Sequence, residues 1–178
     1  IDEGKDELSS LSKAVAITSP VAQTTRNRLR AILTTSIAQL VIVDTPGIHK
    51  PRHLLGERLV QSARMTIGEV DAVLLLLEAC HLPGKGDIFI INLLKHQKKP
   101  VLVALNKFDL VRDEDASLRE EAYRSLLNDC GWPIFRCSAL SGQGCSLLIK
   151  ALAANLPVGP QLYPSNIVSD QPEKVLLA

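Results

Sequence analysis

The sequence predicts an α/β protein: a doubly wound sheet of parallel strands with one antiparallel edge strand. Three observations predict it. Short apolar runs at 70–77, 101–105 and 134–137 alternate with longer segments of helical spacing, the pattern of successive strand–helix units. The run ending at Val43 follows another strand-like run, 29–35, too closely for a crossover, so those two form an antiparallel hairpin. The composition is 46% hydrophobic and rich in Leu, Ile, Val and Ala, with only 3% aromatic residues. That suits a parallel core and argues against an aromatic surface for stacking bases.

A chain of 178 residues with net charge +1 is one domain, or one domain with a tail, and has no bulk attraction to nucleic acid or membrane. Cys80, Cys130, Cys137 and Cys145 form no C-x-x-C pair and read as buried free thiols in a reducing compartment. No stretch has the length of a transmembrane helix, and the polar first residues lack the apolar core of a signal peptide. A soluble intracellular protein is expected.

Taken in order, 2–13 is a short weak helix, and the apolar run 14–18 is broken by Ser19-Pro20. Residues 23–28 are a polar loop before the edge strand 29–35. Gln39 to Val43 reads as a buried parallel strand ending at Asp44, with Pro46-Gly47 marking a sharp loop at its carboxyl end. Ligands of open α/β sheets sit at that end of the strands. Apolar residues at 55, 59, 60, 63 and 67 predict a helix over 54–67. The strand 70–77 and a loop at 81–86 come next, then a helix capped by Asp87 and running to about Gln97. Pro100 opens the strand 101–105. Asp113 or Asp115 starts a helix through Asp129 that Gly131 stops. The strand 134–137, a turn at Gly142 and Gly144 and a helix over 145–156 complete the pattern. The Pro-rich stretch 157–172 is an extended linker. Asp170-Gln171-Pro172-Glu173 reads as the start of a helix too short to stand alone, so the natural protein is expected to continue.

The chemistry sits at strand ends. Asn106-Lys107-Phe108-Asp109 follows 101–105. A carboxylate there can accept two hydrogen bonds from guanine, at N1–H and the 2-amino group. Adenine offers an acceptor at N1 and no 2-amino group, so a site built for those donors rejects it, by about 10⁴-fold. The Lys107 stem can lie along the base face. Ser138-Ala139-Leu140 follows the next strand, and the small Ala139 lets a backbone N–H approach a ligand carbonyl such as guanine O6. Each pattern alone is also compatible with an ordinary strand-end loop. His49 and His53 are spaced like a metal pair, but Pro51 breaks the helix that would align them. His81 and His96 read as surface residues. Lys95-His96-Gln97-Lys98-Lys99 reads most simply as a helix C-terminus favouring positive charge, with a phosphate contact as the alternative.

In order and spacing, Asp44-Thr45-Pro46-Gly47, Asn106-Lys107-Phe108-Asp109 and Ser138-Ala139-Leu140 resemble signature loops of translation-factor-class GTPases. Val15 to Pro20, Gln23-Thr24-Thr25-Arg26, the run from Asp44 to Pro51, and Leu162-Tyr163-Pro164 narrow the resemblance to the Era family. It covers nearly the whole chain. It implies a P-loop GTPase-type fold in three parts: a poorly defined segment 1–13, an incomplete GTPase domain 14–157, and a linker 158–178 leading to a C-terminal KH domain. The nucleotide site would be Asp44, Thr45, Pro46, Gly47 and Ile48, with Asn106, Lys107 and Asp109 reading the base and Ser138, Ala139 and Leu140 beside it. Thr25, with Thr24 as the alternative, would meet Mg²⁺ through its hydroxyl. Asp44 would hold the ion through a water, and the Gly47 N–H would face the γ-phosphate. Ile48 stands where Ras-like proteins place the water-orienting Gln, so any hydrolysis is expected to be slow.

Two expected parts are not found. No G-x-x-x-x-G-K-[ST] run precedes Thr25: Gly4-Lys5 is followed by Asp6, which would repel phosphate. The first central strand and phosphate loop are thus expected to be missing, leaving inner strand edges unpaired and GTP, GDP and Mg²⁺ weakly bound. No G-x-x-G clamp follows Pro157, so this chain is not expected to bind RNA directly. For the full-length relative the resemblance implies a GTP-driven switch in small-ribosomal-subunit assembly, binding 16S ribosomal RNA. The alternatives are a degenerate, catalytically inactive guanine-binding or protein-interaction fragment, or an incomplete product with no activity of its own. The implied location is cytoplasmic, with peripheral membrane association, or a plastid in a eukaryote, left open.

Overall fold

A computed structural model of the chain describes residues 30–45 and 54–167. The described residues divide into two compact units, one reaching to Gly68 and resuming at Pro157, the other Glu69–Leu156.

In the first unit, β1 (Arg30–Thr34) pairs antiparallel with β2 (Gln39–Val43), with Thr34 opposite Gln39, as the short connection requires. Thr35 closes the turn: its N–H and hydroxyl both donate to the Ala38 carbonyl, and the hydroxyl oxygen accepts from the Ala38 N–H at 3.0 Å. Expectation and structure differ on β2. Among the described residues its ladder partner is the antiparallel β1, and only Leu40 in it is buried, while Ile42 is exposed. A β-branched apolar run fits a half-exposed ribbon as well as a buried strand, and length alone does not separate them. The Gln39 side chain then holds a distant piece of chain. Its carbonyl oxygen accepts from the N–H groups of Leu162 and Tyr163 at 3.0 and 2.8 Å, and its NH₂ donates to the Tyr163 carbonyl at 2.8 Å. Helix α1 (Leu54–Glu69) buries Val60, Ala63 and Ile67, three of the positions whose spacing predicted it.

The second unit is a three-stranded parallel sheet in the order β3 (Val73–Glu78), β4 (Val101–Asn106), β5 (Ile134–Arg136). Its registers set Glu78 beside Asn106 and Leu105 beside Arg136. β4 is central, and Val101 to Leu105 are each at most 3% exposed, which is why that strand is an unbroken apolar run. The helices between and after the strands are α2 (Lys85–Leu94), α3 (Asp113–Leu127) and α4 (Cys145–Ala154). They bury Ile91, Leu93, Leu94, Tyr123, Leu127, Leu148 and Leu152.

Several local readings are corrected. β3 starts at Val73, because 70–72 bend out of α1, and it ends on Glu78. Asp87 is not the cap of α2 but its third residue. Gly84 is the cap, and the Asp87 carboxylate reaches back to accept the Gly84 N–H at 2.7 Å. α2 stops at Leu94, so the basic run 95–99 mostly lies in the turn beyond it. All four thiols are free, but only Cys137 is buried. The residues 1–29, 46–53 and 168–178 lie outside the described residues, and with them Thr24, Thr25, Pro46, Gly47, Ile48, His49 and His53. Among the described residues no helix is long and apolar enough to cross a membrane.

Candidate functional site

Two loops leave the carboxyl ends of neighbouring strands β4 and β5 and are tied to each other. The first begins at Asn106, the last residue of β4. Lys107 follows in the left-handed region (φ 59°, ψ 31°), the one non-glycine residue with positive φ among those described. That reversal starts a single turn of 3₁₀ helix, Phe108–Leu110, which carries Asp109 on its exposed side. A non-glycine residue in this region costs free energy and persists only where its surroundings hold it. Here they do. The Phe108 N–H donates to the Cys137 carbonyl at 3.1 Å, and the Arg136 guanidinium lies 4.9 Å from the Phe108 ring centre, a cation–π contact.

The second loop begins at Cys137 and Ser138. Ser138 is fully buried and organises the turn with all its polar atoms. Its N–H donates to the Gln143 carbonyl at 2.9 Å, its carbonyl accepts from the Gly142 N–H at 2.8 Å, and its Oγ accepts from the Ser141 N–H at 3.1 Å. Gly142 and Gly144 both have positive φ, and a Cβ on Gly144 would sit 2.1 Å from the Arg136 carbonyl oxygen. Ala139 and Leu140 are left exposed at the tip.

The tie between the loops is a 2.9 Å hydrogen bond from the Ala139 N–H to Asn106 Oδ1. The Asn106 carboxamide oxygen is thereby committed to the protein, and its NH₂ is left as the donor. Burial pushes the Cys137 and Cys145 thiols up, so neither is set up as a nucleophile.

Glu78 and Tyr123 were not singled out in the sequence. The Lys107 ammonium pairs with the Glu78 carboxylate from the end of β3. This hydrogen bond holds Glu78 below its ordinary range and raises Lys107. Both side chains are about half exposed, so the pair contributes little stability. The buried Tyr123 hydroxyl donates to the Glu78 carbonyl at 3.0 Å and to the His81 carbonyl at 3.4 Å, and burial first, then Asp87 and other nearby negative groups, push it up to about 12. No short-range sequence signal links Glu78 to Lys107 or Tyr123, since the pairs are 29 and 45 residues apart. In the first unit, Asp44 and Thr45 follow β2 and are partly buried.

The α/β fold matches that of solved P-loop GTPases of the Era type. Residues 7–107 match the model of the family described as 50S ribosome-binding GTPase, and the chain belongs to that family, in its Era group. It is 45% identical over 168 residues to GTPase Era of Crocosphaera subtropica, covering 94% of this chain and 53% of that protein. It is also similar to the crystal structure of Era in complex with MgGDPNP and nucleotides 1506–1542 of 16S ribosomal RNA (TM-score 0.79, 31% identity, 91% of this chain and 55% of that one). A variant of Aquifex aeolicus Era bound to GDP and AlF₄⁻ matches with a TM-score of 0.78 at 29% identity, over 91% of this chain and 55% of that one. The chain thus spans about half the length of the relatives it matches.

Proposed function

We propose that Glu69–Leu156 carries the guanine-reading half of a GTP-binding site. The Asp109 carboxylate would accept N1–H and the 2-amino group, and the Asn106 NH₂ would donate to a ring nitrogen. The Lys107 stem would lie along the base, and Ser138, Ala139 and Leu140 would form the wall beside O6. The observation that supports this most is the Asn106–Ala139 hydrogen bond, which holds the two loops at fixed spacing. The exposed Asp109 carboxylate and the Asn106 NH₂ fit the acceptor and donor that guanine requires, whereas the Ala139 N–H, expected to approach O6, is taken by Asn106 Oδ1 and would have to be released to reach it.

Mg²⁺ is a hard cation that takes carboxylate and hydroxyl oxygens together with substrate phosphates. Asp44, with Thr25, offers that chemistry in this chain, and Thr45, Pro46, Gly47 and Ile48 would continue the loop along the phosphates. The ion would supply charge neutralisation at the phosphates. The 178 residues contain no phosphate-loop sequence, so this chain would bind GTP and GDP weakly, with most of the affinity coming from the base. We further read 14–157 as the GTPase domain and 158–178 as the linker beyond it. The whole protein would act as a GTP-driven switch on ribosomal RNA. The relative at 31% identity holds 16S RNA, so we place its partner on the small subunit, although the family's description refers to the 50S particle.

Isothermal titration with guanosine, adenosine, GDP and GTP tests this. Guanosine binding with similar affinity for all three guanine ligands, and none for adenosine, is expected. Equal binding of adenosine and guanosine would overturn it.

A further inference from the structure

The end of β3 runs Glu78-Ala79-Cys80-His81, and its three functional side chains converge. A carboxylate oxygen of Glu78, the Cys80 thiol and an imidazole nitrogen of His81 all lie within 4.8 Å of one another. The backbone beneath them is fixed from three sides. Ala79 is completely buried and donates its N–H to the Asn106 carbonyl at 2.9 Å. The carbonyls of Glu78 and His81, either side of the turn, both accept from the Tyr123 hydroxyl. The outward side chains of 78, 80 and 81 are therefore presented together from a rigid turn, with Glu78 and His81 exposed and Cys80 half-buried.

The geometry points to a binding site for a zinc-class divalent metal at Glu78, Cys80 and His81. One thiolate, one imidazole and one carboxylate is a borderline-soft set that suits Zn²⁺ or Co²⁺ and does not suit Mg²⁺ or Ca²⁺. Around a tetrahedral zinc ion such donors stand about 3.3–3.6 Å apart. To hold an ion, the present spread of up to 4.8 Å would have to close to that by rotation of the side chains. Three protein ligands leave the fourth position to water or an outside group. Binding displaces the Cys80 thiol proton to solvent, and the metal takes the sulfur lone pair.

The site has a built-in competitor. The Glu78 carboxylate is held by the Lys107 ammonium, which belongs to the loop bearing Asp109. Lys107 pairs with Glu78 Oε1, while Oε2 is the oxygen that faces Cys80 at 3.9 Å, so a dication on Oε2 repels the ammonium and weakens its hold on Glu78. Removing the lysine charge favours the metal.

Co²⁺ titration of the chain followed by absorption spectroscopy reads both points without any nucleotide. A one-to-one complex with a thiolate-to-cobalt charge-transfer band and tetrahedral ligand-field bands is expected. Cys80→Ser should abolish the charge-transfer band and Cys130→Ser should leave it unchanged. Lys107→Met should tighten the complex about two- to fivefold, the scale of an exposed ion pair. Zn²⁺ should slow alkylation of Cys80, mapped by mass spectrometry, and leave Cys130 unaffected, which reads the site in the unmutated chain. Persistence of the charge-transfer band in Cys80→Ser, absence of a cobalt complex at millimolar metal, or unprotected Cys80 would overturn the assignment. Unchanged or weaker binding in Lys107→Met would overturn the competition.

Discussion

Asn106 and Ala139 are 33 residues apart, yet the side-chain oxygen of the first accepts the backbone N–H of the second at 2.9 Å. The bond bridges the ends of adjacent parallel strands, so neither loop is positioned by its own sequence alone. Asn106→Ala should cost about 1 kcal/mol of stability, because the exposed Ala139 amide regains water as a partner. It should also speed hydrogen exchange at Ala139 while Val103, in the core of β4, stays protected. Asn106→Asp keeps the acceptor and loses the NH₂ donor. It should preserve Ala139 protection and still lose guanosine binding by about tenfold, which titration of both variants separates.

Asp109 provides the sharpest test of base recognition. Asp109→Asn replaces one of the two required acceptors with a donor. Guanosine affinity should fall by at least about 100-fold, since a buried donor on the base then meets a donor on the protein. Xanthosine carries a carbonyl where guanine has the 2-amino group, so it should gain affinity for this variant. Competition titration of the two nucleosides measures the reversal.

Gly144 should not tolerate a side chain. Its φ is +73°, and a Cβ would meet the Arg136 carbonyl oxygen at 2.1 Å, a backbone atom that cannot rotate away. Gly144→Ala should destabilise the domain by about 2–4 kcal/mol, read from the denaturant midpoint. Gly159, where an added Cβ meets nothing within 4 Å, serves as the control and should change little.

Acid sensitivity should report on Glu120. Its carboxyl is largely buried and pairs with Arg124 and Arg136. Burial by itself would raise its pKa, but the hydrogen bonds from the two arginines outweigh that, and the net shift is downward from 4.5. A folded-state pKa below the unfolded one means stability that is present above about pH 4.5 and is lost as pH falls through the folded value. Glu120→Gln should lower stability at neutral pH and flatten this acid limb in urea titrations between pH 3 and pH 6 (roughly the carboxylate range).

The parallel strands and their polar ends were legible because a centrally buried strand must be apolar throughout, as Val101 to Leu105 are. The hairpin was legible from loop length alone. What escaped was set by partners distant in sequence. The left-handed turn at Lys107 depends on Cys137 accepting the Phe108 N–H and on Arg136 covering the Phe108 ring. Cys80 has no pattern of its own that would expose it; the turn after β3 does so. Asp87 has the chemistry of a cap, but Gly84 occupies that place because the chain turns three residues earlier. β2 departs from the expectation of a buried parallel strand because an apolar run does not say whether both of its faces are covered.

The Gln39 side chain treats the backbone at 162–163 as a strand would, offering one acceptor and one donor where a neighbouring peptide group would stand. The backbone at 162–163 is therefore moored to the hairpin by one amide side chain, so Gln39→Ala removes all three bonds at once.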